Sequence, residues 1–240
     1  MNLMGDHSIS DLRRVVLNPL AWRLSRNELR ELMQRREVED IISATEEYQG
    51  RGFYARIHAV QVHSEIRPLA ELVQSLSPKS IVEIGTFKGG TLFIWCRANP
   101  EAELFVSIDL PGGQYGGGYD RRRQRLYQEF IADRGQSQMV LLQADSHLAD
   151  TLEALKTSLQ GRLIDFLYID GDHTYEGVKK DYEMYSPLVR KGGVVAFHDI
   201  VTRSRNCGVH QLWGELKRTR RTREFIGDAS NKGIGVAYFD

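Results

Sequence analysis

The strongest constraint in this sequence is a regular alternation of short, mostly apolar runs with longer segments of helical spacing between residues 57 and 240. The short runs indicate buried strands, because each is bounded by polar residues or glycine. Strands that alternate with helices form a parallel sheet covered on both faces. The predicted buried strands are Ser80–Ile84, Leu104–Ile108, Met139–Leu142, Ile164–Ile169 and Gly193–Phe197, with closing strands at 224–226 and 233–239. A helix is predicted over Val60–Leu76, ahead of the first strand. The sequence therefore predicts a doubly wound α/β fold.

The first 54 residues differ from this pattern. Apolar residues recur at helical spacing between Glu28 and Glu47, and a break follows at 48–52. We therefore predict an N-terminal helical arm at 1–54 and a ligand-binding domain at 55–240. Three roles for the arm stay open at this point, namely packing on the domain, forming a homodimer, and covering the site.

The charge balance limits the class of partner. The chain has 32 basic and 32 acidic residues, so we expect neither nucleic acid nor an anionic membrane as its main partner. No run of 18 apolar residues occurs, and the N-terminus lacks the apolar stretch of a signal peptide. We expect a cytoplasmic protein.

A glycine turn follows the first predicted strand, in the segment Glu83-Ile-Gly-Thr-Phe-Lys-Gly-Gly-Thr91. A dinucleotide fingerprint requires a second glycine two residues after Gly85, where this chain has Phe87. NAD is therefore disfavoured. The strand-borne acid Glu83 ahead of this turn suits a zwitterionic amino acid joined to a ribose.

Single acids end the next two strands. Asp109 is suited to accept hydrogen bonds from ribose hydroxyls, or to stabilise a turn. Asp145, followed by Ser146, is suited to accept from an adenine amino group, or to cap the next helix. Because parallel strands present their carboxyl ends at one edge of the sheet, we expect these groups to share one cofactor site.

Acids and histidines follow the fourth and fifth strands. Asp170, Asp172 and His173 come after one strand, and His198 with Asp199 after its neighbour. Such a set is suited to bind one cation or to hold a general base. Helix capping explains one of these residues, but not all five.

These segments resemble class I SAM-dependent O-methyltransferases (SAM is S-adenosylmethionine), within the group related to the cephamycin-pathway and macrolide-sugar enzymes. The resemblance covers roughly residues 55 to 240 and is carried by 83–91, 108–111, 169–175 and 192–199. It implies a Rossmann-like, mainly parallel sheet of seven strands with an antiparallel final strand.

The resemblance also implies site residues. Mg²⁺ would be held by Asp170, His198 and Asp199, although relatives commonly carry an acid where this chain has His198, and imidazole is a poorer magnesium ligand. His173 would be the catalytic base. The predicted cofactor-binding residues are Glu83, Gly85, Thr86, Gly89, Asp109, Asp145, Ser146 and Asp170.

The sequence thus predicts methyl transfer from SAM to a hydroxyl of a small molecule, such as a sugar or a phenolic natural product. A SAM-binding module without catalysis and an NAD-dependent oxidoreductase are the alternatives. The complete set Asp170, His173 and Asp199 favours catalysis, since a binding module needs only the cofactor half. In the glycine-rich segment 110–120, Tyr115 and Tyr119 either cover the acceptor or belong to an ordinary flexible loop.

Overall fold

A seven-stranded sheet forms the centre of the protein. The structure is a computed structural model that describes residues 6–112, 117–227 and 231–240, with side chains from residue 18 onward. The strands are β1 (Ser80–Ile84), β2 (Leu104–Asp109), β3 (Gln138–Gln143), β4 (Ile164–Ile169), β5 (Val189–His198), β6 (Thr222–Phe225) and β7 (Ile234–Phe239). Their order across the sheet is β3-β2-β1-β4-β5-β7-β6.

The direction of the strands agrees with the prediction. β1 to β5 are parallel to one another, and β7 runs antiparallel between β5 and β6. The chain order reverses at β1, which lies between β2 and β4. In an open α/β sheet, this switch point is where a crevice opens beyond the carboxyl ends of the strands. The predicted Rossmann-like, mainly parallel fold is confirmed.

Helices cover both faces of the sheet. One buried apolar cluster includes residues of α1 to α5, and the other includes residues of α6 to α8. No helix in the described part of the chain is both long and apolar enough to cross a membrane. The helices are α1 (Asp6–Leu32), α2 (Val38–Glu47), α3 (His63–Ser75), α4 (Gly90–Ala98), α5 (Gln124–Glu129), α6 (Ala149–Leu159), α7 (Tyr175–Tyr185) and α8 (Val209–Thr219).

Two helix boundaries differ from the sequence prediction. The helical spacing at 28–47 belongs to two helices, because α1 ends at Leu32 and α2 begins at Val38. The buried guanidinium of Arg97 donates to the carbonyl of Met33 at 2.7 Å and so satisfies a carbonyl at the end of α1. Helix α3 begins at His63 rather than Val60, which leaves 55–62 as an irregular connection in which Arg56 has a φ of 51°.

The N-terminal helices pack into the main core. Leu29, Ile41 and Ile42 are almost fully buried in the same apolar cluster as the residues of α4. Arg26 and Arg30 both donate to the buried carboxylate of Glu129, at 2.8 and 2.7 Å. The arm and the sheet therefore share one apolar interior.

Candidate functional site

The glycine turn after β1 has a backbone that only glycine tolerates. Gly85 and Gly89 have φ angles of 92° and 78°. A Cβ atom at Gly85 would lie 2.1 Å from the carbonyl oxygen of Asp170, so this turn packs directly against the residue after β4. Phe87 also has a positive φ, of 46°, which side chains rarely adopt and which recurs at functional sites.

Asp109 holds this turn in place. One carboxylate oxygen accepts from the amides of Thr86 and Phe87, at 3.0 and 2.6 Å, and the other accepts from the amide of Leu110 at 2.8 Å. Burial raises the pKa of Asp109, and these three backbone hydrogen bonds oppose the shift. The turn-stabilising role that the sequence left open is thus visible, and a ribose would have to share the same carboxylate.

Glu83 lies fully buried beneath the turn. One carboxylate oxygen accepts from the hydroxyl of Thr91 at 3.0 Å, and the other has no hydrogen-bond partner within the residues that the structure describes. Burial raises the pKa of Glu83 to about 8, and the negative charges of Asp170 and Asp109 add to the shift. An unpaired buried carboxylate of this kind is suited to a cationic ligand.

Asp145 and Ser146 stabilise the turn after β3. The Asp145 carboxylate accepts from the amide of His147 at 2.8 Å, and the Ser146 carbonyl accepts from the hydroxyl of Tyr185 at 2.5 Å. Helix α6 begins later, at Ala149. The structure therefore places both residues at the carboxyl end of β3, beside the end of β2, as the predicted adenine position requires.

The predicted reaction residues converge into one cluster after β4 and β5. One oxygen of Asp170 lies 3.1 Å from Nε2 of His173 and 3.1 Å from Nδ1 of His198. Nδ1 of His173 lies 3.1 Å from the carboxylate of Asp199. The His173 side chain is 39% exposed, whereas the other three are between 4% and 12% exposed. His173 is therefore the member of the cluster that a ligand can reach.

The two other polar residues of the β4 loop have structural roles. The Thr174 hydroxyl accepts from the amide of Gly177 and caps α7, and the Asp172 carboxylate accepts from the amide of Thr174. The amide of Gly208 donates to the carbonyl of His173 at 2.7 Å, so the start of α8 holds the backbone of this residue.

Opposite charges stabilise one another inside the cluster. Hydrogen bonds to Asp170 and Asp199 raise the pKa of His173 to about 11. Burial alone would raise the pKa of Asp170, but the imidazoles of His198 and His173 lower it well below its usual range. Burial alone would also raise the pKa of Asp199, but the hydrogen bonds from His173 and Thr202 and the charges of the imidazoles together lower it.

The predicted magnesium ligands do not fit that ion in this arrangement. Both oxygens of Asp170 already accept from protein groups, and so do both oxygens of Asp199. Across the described ranges, no group of three His, Cys, Asp or Glu side chains is arranged to hold a metal. Imidazole is also a weak ligand for Mg²⁺ compared with oxygen donors. We therefore derive no step through a metal.

Gln61 belongs to the cluster, and the sequence interpretation missed it. Its Nε2 donates to Asp170 at 2.6 Å, across 109 positions of the chain. The predicted helix from Val60 concealed this residue, although β-branched Val60 and Val62 are weak helix formers. No local sequence pattern links Gln61 to Asp170.

The loop after β2 is only partly described. Tyr115 lies outside the described residues. Tyr119 is 2% exposed, and its ring packs edge-on against Tyr127 at 4.9 Å between centroids. Contrary to one of the two interpretations from sequence, Tyr119 packs in the core rather than presenting its ring to an acceptor.

The family assignment comes from comparison with known proteins. Residues 82–200, about half of the chain, match the sequence model of a family described as a methyltransferase domain. Residues 82–200 of the chain belong to this methyltransferase family. The matched segment begins within β1, ahead of the glycine turn, and ends just after Asp199, so it contains most of the site described above.

Two curated proteins are similar to this chain in sequence. Uncharacterized protein y4gI of Sinorhizobium fredii is 30% identical over 172 residues, which cover 70% of this chain and 18% of that protein. An uncharacterized protein of Acanthamoeba polyphaga mimivirus is 30% identical over 120 residues, which cover 49% of this chain and 50% of that protein. The chain thus spans half or less of the length of these relatives.

Several solved structures share the fold of this chain. An O-methyltransferase from Bacillus cereus in complex with SAH has a TM-score of 0.56 at 15% identity, covering 85% of this chain and 90% of that one. The O-methyltransferase TomG from Streptomyces achromogenes, involved in tomaymycin synthesis and in complex with SAM, has a TM-score of 0.54 at 18% identity, with the same coverage. A putative caffeoyl-CoA O-methyltransferase from Staphylococcus aureus has a TM-score of 0.56 at 18% identity, covering 90% of this chain and all of that one. At these identities the likeness supports the fold alone.

Proposed function

We propose that this methyltransferase uses SAM to methylate a hydroxyl group of a small molecule. The observation that carries the proposal is the position of the Asp170 cluster, which lies directly against the glycine turn at Gly85. A cofactor above the turn and an acceptor at His173 would then be neighbours. The solved O-methyltransferases with bound SAM or SAH support the same cofactor for this fold.

The proposed cofactor site lies at the switch point of the sheet, beyond the carboxyl ends of the strands. Adenosine would lie at the ends of β2 and β3, near Asp109 and Asp145. The amino-acid end would lie beyond the turn, toward β4. Glu83, Gly85, Thr86, Gly89, Ser146 and Asp170 complete the proposed set. Neighbouring strands are about 4.8 Å apart, so β2 and β4 are separated by about 10 Å, which suits a ligand of this length.

The proposed reaction is an in-line displacement at the methyl carbon. The bond from the sulfonium sulfur to the methyl carbon breaks as the bond from the acceptor oxygen forms, and the electron pair stays on sulfur. With a pKa of about 11, the free His173 is an imidazolium, so it must first release one proton to solvent. The acceptor proton then passes to the vacated ring nitrogen of His173. An acceptor reaches that nitrogen by replacing one of its two carboxylate contacts. The displaced carboxylate then stays nearby and stabilises the imidazolium.

A sugar or phenolic natural product as acceptor, and a homodimer formed by the arm at 1–54, are further parts of this proposal. Leu20 and Leu24 support the dimer, because they are 55% and 42% exposed on one side of α1. Light scattering of the unaltered chain and of a double variant with Leu20→Glu and Leu24→Glu tests it. A mass that is the same in both contradicts a dimer through this surface.

The central test measures binding and transfer separately. We expect calorimetry to detect SAM binding, and labelled SAM to transfer its methyl group to members of a panel of hydroxyl acceptors. We expect His173→Ala to lower kcat about 100-fold or more while the Kd for SAM changes less than about threefold. His58→Ala, an exposed histidine outside the cluster, is the matched control.

The outcomes separate the alternatives. Absence of SAM binding contradicts the proposal as a whole. SAM binding without transfer across the panel favours a binding module, and equal losses of rate and affinity in His173→Ala contradict its role as a base. Repeating the assay with EDTA tests the predicted metal assistance, because a metal-dependent enzyme loses activity and regains it with added Mg²⁺.

A further inference from the structure

The irregular connection at 53–61, here called the strap, crosses the cofactor turn and ends at the reaction cluster. The guanidinium of Arg123 donates to the carbonyls of Phe53 and Ala55 at 3.0 and 2.8 Å. The same guanidinium donates to the carbonyls of Arg56 and Lys88, at 2.7 and 3.2 Å. One side chain thus ties the strap to the glycine turn.

Close packing holds the middle of the strap. A Cβ atom at Gly90 would lie 2.0 Å from the amide nitrogen of Ala59, so the strap passes over the first residue of α4 at a distance that only glycine allows. Further along, the ammonium of Lys232 donates to the carbonyl of Val60 at 2.9 Å. These contacts therefore hold the next residue, Gln61, in one defined position.

The orientation of the Gln61 amide is set by chemistry. Its Nε2 donates to one carboxylate oxygen of Asp170 at 2.6 Å, and the other oxygen of that carboxylate lies 3.1 Å from two imidazole nitrogens, so the NH₂ group of Gln61 faces Asp170. The amide oxygen Oε1 then points away from Asp170. This oxygen is buried and has no hydrogen-bond donor among the described residues. A buried acceptor left without a donor destabilises the ligand-free protein.

A second unpaired acceptor lies on the same side of the site. Glu83 and Tyr168 are paired residues of β1 and β4, and the Tyr168 hydroxyl lies 3.5 Å from the carboxylate of Asp170. One carboxylate oxygen of Glu83 has no partner in the part of the chain that the structure describes. The Glu83 carboxyl group, the Asp170 carboxylate and Oε1 of Gln61 thus border the glycine turn on its β4 side.

We infer that Gln61 is a cofactor-binding residue whose Oε1 accepts a hydrogen bond from the α-ammonium group of SAM. This inference rests on the proposed function and extends it to a residue outside the matched family segment. An ammonium group offers three hydrogen-bond donors and a positive charge, and the surrounding acceptors have neither. The carboxylate of the cofactor has no donor and a negative charge, so it does not suit this place.

The experiment compares two ligands that differ at one group. S-adenosylhomocysteine and its analogue with hydrogen in place of the α-ammonium are titrated by calorimetry into the full chain. The unaltered chain binds the ammonium ligand more tightly. Gln61→Met, which keeps the length of the side chain but removes the acceptor, lowers that preference roughly 10- to 100-fold, because a hydrogen bond to a charged group is lost.

Two further variants exclude a merely structural role. Gln61→Glu restores an acceptor and recovers the preference for the ammonium ligand. Val60→Ala, which alters an exposed side chain on the strap, leaves the preference unchanged. The readout is the ratio of two affinities measured on one preparation, so partial loss of folded protein cancels.

Each outcome has one meaning. Equal weakening of both ligands in Gln61→Met, or no weakening of either, overturns the inference and leaves the proposed function intact. Failure of the unaltered chain to bind S-adenosylhomocysteine overturns both. A preference that is lost in Gln61→Met and recovered in Gln61→Glu supports the inference.

Discussion

At the scale of single residues, the site consists largely of buried acids whose charges are compensated unequally. Asp170 and Asp199 are paired with imidazoles, and Asp109 accepts three backbone hydrogen bonds. The Glu83 carboxylate accepts from the hydroxyl of Thr91, but burial still raises its pKa to about 8. Glu83 is therefore the carboxyl group of this set whose protonation a cationic ligand changes most.

We predict that SAM binding releases a proton from Glu83. With a pKa of about 8, the group is about 90% protonated at pH 7, and a cation nearby favours its ionised form. Release of about 0.8 proton per SAM is expected if the pKa falls to about 6. Calorimetry at pH 7 in phosphate and in Tris measures it, because the apparent enthalpy then depends on the ionisation enthalpy of the buffer.

The variant Glu83→Gln is the control for this release. It keeps the size of the side chain and removes the titrating group, so its binding enthalpy should no longer depend on the buffer. A buffer-independent enthalpy in the unaltered chain, with SAM bound, contradicts the prediction. It would mean that Glu83 keeps its proton beside the cofactor.

At the scale of structural elements, the close contact between the strap and α4 joins the N-terminal third of the chain to the cofactor turn. Gly90 begins α4, and its missing side chain leaves room for the backbone at His58 and Ala59. The strap in turn carries Gln61 to Asp170. A change at Gly90 therefore acts on two elements and on the site between them.

We predict that Gly90→Ala destabilises the protein by about 2–4 kcal/mol, because the new methyl group overlaps a backbone that cannot move freely. Gly214→Ala is the matched control. Gly214 lies inside α8 with open space around its Cα, so alanine should raise the stability by up to about 1 kcal/mol. Urea unfolding of both variants gives these free energies. Equal stability of the two variants would show that the strap shifts at little cost.

At the scale of the whole molecule, the arm and the sheet share one apolar core. Leu29, Met33 and Ile41 are at most 3% exposed, and they belong to the same cluster as Phe93 and Trp95 of α4. Two arginines of α1 are also paired with Glu129 of α5. The predicted division at residue 54 therefore separates segments that pack together.

We predict that a chain starting at residue 51 does not fold cooperatively. Removal of α1 and α2 exposes the apolar surface that α2 covers on α3 and α4, and it takes the α1 residues out of the shared apolar cluster. The truncated chain should bind a dye for apolar surface and lose its sharp thermal transition. Removal of residues 1–5 alone is the control. A truncated chain with the thermal midpoint of the full chain would establish 51–240 as an independent domain.

The strands and the glycine turn were predictable because their signals are local. Buried parallel strands are almost continuously apolar, and β1 and β4 have the predicted boundaries. The clustering of Asp170, His173, His198 and Asp199 was also predictable, since neighbouring parallel strands end at one edge. The split of the N-terminal helix was missed, because the carbonyl at its end is satisfied by Arg97, 64 residues away.

The sequence by itself determined the fold class, the cofactor turn and the chemical types of the reaction residues, because periodicity and strand ends depend on neighbours in the chain. Only the tertiary structure decided which groups meet. It places both nitrogens of His173 against carboxylates, turns Asp109 toward backbone amides, and brings Gln61 to Asp170. These pairings depend on side-chain directions and on packing between distant elements, which local sequence does not encode.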